Sequence, residues 1–155
     1  MNPRRVLRNA LLLFAGGSLA VFAVRELDRS ELAGPDTEDP PPASGVVVYY
    51  LSQGKDCTVC NNIEAYTLET LETHFSAQLA SGEIIWRSLD VDEPRYAHFV
   101  TDFKLYTKAV VFAEMRDAQV QRWKNLEAIW EEVYDKEGFI AYIQRELQTF
   151  LETPA

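Results

Sequence analysis

Both cysteines of this 155-residue chain stand in one hexapeptide, "KDCTVC" at residues 55–60, as Cys57 and Cys60. Two cysteines placed at random would fall three positions apart about one time in eighty, so the spacing is a signal. A disulfide framework needs more cysteines, and a closed zinc site needs two further ligands. A redox pair needs only a helix N-terminus beneath the first sulfur. Unpaired backbone N–H groups and the positive end of the helix dipole favour thiolate, the form that attacks disulfides. Cys57 is then the nucleophile, and Cys60, one turn further in, is the thiol that resolves a mixed disulfide. Lys55 lowers the pKa of Cys57 and Asp56 raises it, and their effects oppose. Thr58 and Val59, between the sulfurs, carry no charge.

The elements needed to hold such a pair can be read along the chain. "VVVYYL" (46–51) is β-branched and aromatic, long enough for a buried strand and too short for a helix. The cysteine motif follows it directly. Ile63, Tyr66, Leu68, Leu71, Phe75 and Leu79 then recur at helical spacing until Gly82 stops the run. "IIWRSLDV" (84–91) predicts a second strand, and Pro94 opens a helix through Phe103. "KAVVFAEM" (108–115) and "AQVQRW" (118–123) predict a hairpin turning at Arg116 and Asp117. Asn125 is placed to cap a short helix carrying Leu126, Ile129 and Trp130. A last helix puts Phe139, Ile143, Leu147 and Phe150 on one face. The order β-α-β-α-β-β-α predicts an α/β domain with a mixed central sheet: a parallel pair joined by a crossover, then antiparallel strands.

"VVVYYLSQGKDCTVCNNIEAY" resembles the first strand and active-site helix of the thioredoxin superfamily, over roughly residues 45–150. The tail "WKNLEAIWEEVYDKEGFIAYIQREL", with the N-terminal segment, is similar to small bacterial thioredoxin-like proteins loosely labelled a nitrophenyl-compound nitroreductase subunit. The resemblance implies a thioredoxin-like fold and thiol–disulfide oxidoreductase activity with Cys57 and Cys60 catalytic. It also implies a partner groove lined by Thr58, Val59 and Thr107. The uncharged residues between the sulfurs imply a mild couple that leans reducing. Two departures stand out. The cis-proline that usually faces the cysteines is replaced by Thr107, or by Lys108 after a one-residue slip, neither of which readily takes a cis bond. The buried carboxylate six residues ahead of the first cysteine is replaced by Leu51. Both point to a narrower partner, or slower chemistry, than general disulfide reduction. No G-x-G-x-x-G follows a strand, so no flavin or nicotinamide cofactor is expected, and nitroreduction would make this chain an electron-delivering accessory.

A net charge of −9, with no Lys/Arg patch interleaved with aromatics, argues against a phosphate-binding surface and hence against a nucleic-acid partner. Arg4, Arg5 and Arg8 precede the uncharged run "ALLLFAGGSLAVFAV" (10–24), a basic segment followed by an apolar one. With no clean small-x-small site after it, residues 1–24 are expected to be an uncleaved membrane anchor, ahead of two alternatives: a removed signal peptide and a buried amphipathic helix of the domain. Basic residues ahead of the span place the rest of the chain outside the cytoplasm, in a periplasmic or equivalent space. Residues 25–44, acidic with three consecutive prolines, read as a stiff linker, and 45–152 as the soluble domain. Two other readings of the motif stay open. One is a redox-inactive adaptor with a structural disulfide. The other is soft-metal or arsenic(III) binding by paired thiolates. Zinc would need His74 and His98, which fall on different helices. Tyr49, Tyr50, Trp86, Trp123 and Trp130 read as core or interface aromatics.

Overall fold

The computed structural model describes residues 40–54 and 57–153. The anchor expected at 1–24, the linker as far as residue 39, and Lys55 and Asp56 lie outside the described residues. Among the described residues no helix is long and apolar enough to cross a membrane.

The run at 46–51 forms the middle of β1 (Ser44–Ser52), and its six residues are all buried. A strand apolar on both pleat faces must be covered on both sides, and this one is. Val46, Val48 and Tyr50 enter one core cluster, Val47, Tyr49 and Leu51 another. The remaining elements are α1 (Thr58–His74), α2 (Ser76–Ser81), β2 (Ile84–Asp90), α3 (His98–Asp102), β3 (Ala109–Arg116), β4 (Gln119–Asn125), α4 (Ile129–Glu132) and α5 (Lys136–Glu152). The sheet order is β2-β1-β3-β4. β1 runs parallel to β2, with Val46 opposite Ile84, and antiparallel to β3, with Leu51 opposite Ala109. β3 and β4 form an antiparallel hairpin. The described residues therefore form a mixed four-stranded α/β domain. The two central strands are the two most apolar, because only they are enclosed on both faces and both edges.

Helices complete each layer. On the first face, Ile63 and Leu71 of α1 pack with Ile129 and with Phe139, Ile143, Leu147 and Phe150 of α5. The four α5 residues are the ones its helical period singles out. The second face is closed by a short aromatic cap, in which Phe99 and Phe103 stack at 5.4 Å and meet the Tyr49 ring at 5.1 and 5.8 Å. Trp123 leans on Phe103 at 5.6 Å.

Four local expectations are corrected. The first helical run is not continuous to Gly82, because Phe75 takes φ −130° and ψ 24° and divides it into α1 and α2. The Phe75 ring is 3% exposed, so the break coincides with a core side chain. The buried face of α1 is Cys60, Ile63, Thr67, Thr70 and Leu71, while Leu68 is half-exposed. Thr67 and Thr70 tolerate burial because their hydroxyls donate to the carbonyls of Ile63 and Tyr66, each at 2.7 Å. After Pro94 the chain makes tight i+3 turns (Tyr96 N–H to Glu93 O, Phe99 N–H to Tyr96 O), and helix begins only at His98. Asn125 ends β4 and caps nothing; α4 starts after Ala128 with no side-chain cap.

Candidate functional site

The motif sits at the junction expected for it, between the end of β1 and the start of α1. The end of β1 is anchored first. Val91 N–H donates to Ser52 O at 2.9 Å, and Ser52 Oγ donates to Leu89 O at 3.2 Å. Gly54 N–H then donates to Asp92 Oδ2 at 2.6 Å. Cys57 follows as the N-cap of α1, extended at φ −141° and ψ 151°. Its Sγ accepts the Cys60 N–H at 3.2 Å, and its carbonyl accepts the Asn61 N–H at 3.0 Å. The sulfur thus occupies the place a serine or aspartate oxygen takes in an ordinary cap. No acidic residue lies in the first turn of α1, so nothing in that turn offsets the positive helix end.

Cys57 and Cys60 are joined in a disulfide, with sulfurs 2.07 Å apart and Cα atoms 5.1 Å apart. The two sulfurs differ in environment. Cys57 is exposed, whereas Cys60 is 4% exposed and belongs to the buried face of α1. Tyr50 anchors that buried side by donating its hydroxyl to the Cys60 carbonyl at 3.1 Å. Thr58 is exposed and Val59 half-buried, with Val59 packed against the first core cluster.

Thr107 is exposed and lies two residues ahead of β3, with the buried Lys108 between. The Leu51–Ala109 rung places it at the end of the sheet where β1 runs into the cysteine motif. All peptide bonds among the described residues are trans, Thr107 and Lys108 included. Leu51 is fully buried, an apolar side chain at the end of β1. His74 is exposed at the last turn of α1, and His98 is bound to Asp102 at 2.8 Å on α3. No group of three or more His, Cys, Asp and Glu side chains able to hold one metal ion occurs among the described residues.

Three residues at this end of the sheet escape a reading by motif. Asp92 holds Gly54, three residues ahead of Cys57. The only hint of it in sequence is an aspartate just past the strand that pairs in parallel with β1. Tyr50 reads as one more core aromatic, and its hydroxyl partner is visible only in three dimensions. Tyr106, beside Thr107, is 96% exposed, the most exposed large apolar side chain among the described residues.

No family model matches the chain, and no curated protein matches it. Among solved structures it is similar to a malarial protein, at 14% identity and a TM-score of 0.39, over 66% of this chain and 98% of that one. It is also similar to a thioredoxin from Thermus thermophilus, at 13% identity and a TM-score of 0.38, over 66% of this chain and 74% of the thioredoxin.

Proposed function

We propose that this chain is a thioredoxin-like thiol–disulfide oxidoreductase whose working groups are Cys57 and Cys60. One observation carries the reading: an exposed sulfur at a helix N-cap, bonded to a buried sulfur one turn inside. The β-α-β-α-β-β-α order around a mixed sheet, with helices on both faces, supports it.

In the reduced form the Cys57 thiolate attacks a partner disulfide. One partner sulfur leaves as thiolate and a mixed disulfide forms. The Cys60 thiolate then attacks Cys57 Sγ, closing the internal disulfide and releasing the second partner thiolate. Two electrons pass from the dithiol to the partner, and its two sulfurs take up protons from solvent. The Cys60 N–H and the helix end favour the attacking thiolate at Cys57. Cys60 is buried and Leu51 supplies no carboxylate, so its proton leaves through water or another base. That slows resolution and favours a dedicated partner. Thr58, Val59 and Thr107 border the partner's approach.

The basic and apolar pattern of residues 1–24 supports a membrane tether with the domain on the extracytoplasmic side. Delivery of electrons to a reductase system is the role that fits a tethered dithiol without a cofactor of its own.

The test is a titration in a glutathione series, read by mass shift after thiol alkylation. A reversible midpoint is expected. A pair that stays oxidised throughout marks a structural bridge and overturns the proposal. A Cys60→Ser variant is expected to trap a mixed disulfide with the partner, and Cys57→Ser to trap none.

A further inference from the structure

Asp92 lies outside the cysteine motif and after a different strand, yet it grips the chain that leads into the motif. Its Oδ2 accepts the N–H of Gly54 at 2.6 Å, three residues ahead of Cys57. Asp92 is itself held in place. Its own N–H donates to Asp90 Oδ1 at 3.0 Å, and Glu93 N–H donates to Asp90 O at 3.1 Å. One residue earlier, Val91 N–H reaches Ser52 O at 2.9 Å, carrying the β1–β2 pairing past the strand ends. Gly54 has φ +69°, and a Cβ added there would meet nothing within 4 Å. The backbone conformation, rather than lack of space, is what asks for glycine at this point. On the strand side of the motif Gly54 is therefore held by the Asp92 carboxylate, and on the helix side Cys57 is held by the first turn of α1.

We infer that Asp92 is a positioning residue for the cysteine pair, holding the chain at Gly54 so that Cys57 stays at the helix cap within bonding reach of Cys60. The inference rests on the redox reading above. The reaction concerned is dithiol plus oxidised glutathione giving the internal disulfide plus two reduced glutathiones. The sulfurs of the protein lose two electrons and those of glutathione gain them. How far it runs depends on the effective concentration of one cysteine at the other, which falls when the intervening geometry loosens. A carboxylate near the motif also adds negative charge, which opposes thiolate. Two substitutions separate position from charge. Asp92→Asn keeps an oxygen acceptor for the Gly54 N–H without the charge, and Asp92→Ala removes both.

The experiment measures the glutathione equilibrium at a single pH near neutrality for the full chain and both variants, with amide hydrogen exchange at Gly54 as the readout of the grip. Asp92→Ala is expected to lower the equilibrium constant for disulfide formation about tenfold and Asp92→Asn to leave it within about threefold. Gly54 exchange is expected to accelerate in the alanine variant alone. Equal shifts in both variants would assign the effect to charge and overturn the inference, and so would faster Gly54 exchange with an unmoved equilibrium. If the parent protein exchanges with glutathione and only the Asp92 variants fail to differ, the redox reading stands without the positioning role. If the parent does not exchange at all, both fall.

Discussion

Exposure separates the two cysteines. Cys57 caps the helix in contact with solvent, while Cys60 shares a buried helix face with Ile63 and has its carbonyl tied to Tyr50. An attacking thiolate must meet its target, and a resolving one must not escape. After reduction, iodoacetamide is therefore expected to modify Cys57 at least about tenfold faster than Cys60, checked by peptide mass mapping over time. Similar rates would remove the division of labour. Tyr106 allows a second measurement. On the proposed redox reading, a tyrosine 96% exposed beside Thr107 would give a protein partner an aromatic anchor that a tripeptide is too small to use in full. Tyr106→Ala is expected to slow reduction of the partner's disulfide roughly three- to tenfold while the glutathione midpoint stays put. Equal losses for both would place Tyr106 in the architecture of the site instead.

At the scale of elements, the β1–α1 junction does its work because the strand is locked on both sides before it ends. It pairs in parallel as far as Asp90 and antiparallel from Ala109. The β3–β4 hairpin is less well matched to its sequence. Its two-residue loop, between the paired Arg116 and Gln119, has Asp117 at φ 50° and Ala118 at φ 58°. Both values belong to the turn whose twist suits a hairpin, but alanine gains nothing from the left-handed region and is strained there. Ala118→Gly is expected to stabilise the domain by roughly 0.5–1 kcal/mol in urea unfolding, relief of strain outweighing the added chain entropy. A destabilised variant would show that the turn is not strained. The β4 edge is irregular, with the register shifting at Glu114 and Met115. A shift of that kind, with polar residues along the strand, discourages pairing with another chain.

At the scale of the whole domain, β4 is stitched to α5 by ions. Arg122 bonds Glu114 and donates to the Phe150 carbonyl at 2.6 Å, with its guanidinium 3.9 Å from the Phe150 ring centre. Lys124 bonds Glu146 at 2.5 Å. The hydrogen-bonded Arg122 guanidinium, with Arg116 beside it, holds the Glu114 carboxyl below its ordinary range. Lys124, with Arg145, does the same for Glu146. A carboxyl more acidic folded than unfolded stabilises fully above its unfolded value, here 4.5, and that contribution disappears as pH falls through the folded value. Stability should therefore fall with acid below about pH 4.5. Glu114→Gln or Glu146→Gln should each cost roughly 1 kcal/mol at neutral pH and flatten that fall, measured by urea unfolding across pH. An acid limb unchanged in both variants would show that these pairs contribute nothing.

Much of this arrangement is legible in the chain itself, because its causes are local or periodic. "VVVYYL" is apolar at every position, which specifies a strand covered on both faces, and the motif that follows can only sit where strand gives way to helix. The spacing of Phe139, Ile143, Leu147 and Phe150 specifies a one-sided helix. Helix ends were harder to read. Phe75 fits the helical period, yet the backbone breaks there, and Pro94 opens turns before it opens a helix. Such boundaries are set by what packs against the segment.

Residue order alone names the two sulfurs that form the candidate pair, since cysteines three residues apart at a helix start need no distant partner to meet. Three-dimensional contacts alone show that Cys57 is the exposed member of the pair, that Tyr50 anchors the buried one, and that Asp92 holds Gly54 from beyond β2. Those contacts join residues 10 and 38 positions apart, Tyr50 to Cys60 and Gly54 to Asp92. The first exists because α1 packs back over the face of β1 that carries Tyr50, the second because the parallel β1–β2 pairing brings two strand ends together, and no local pattern in the chain encodes either meeting.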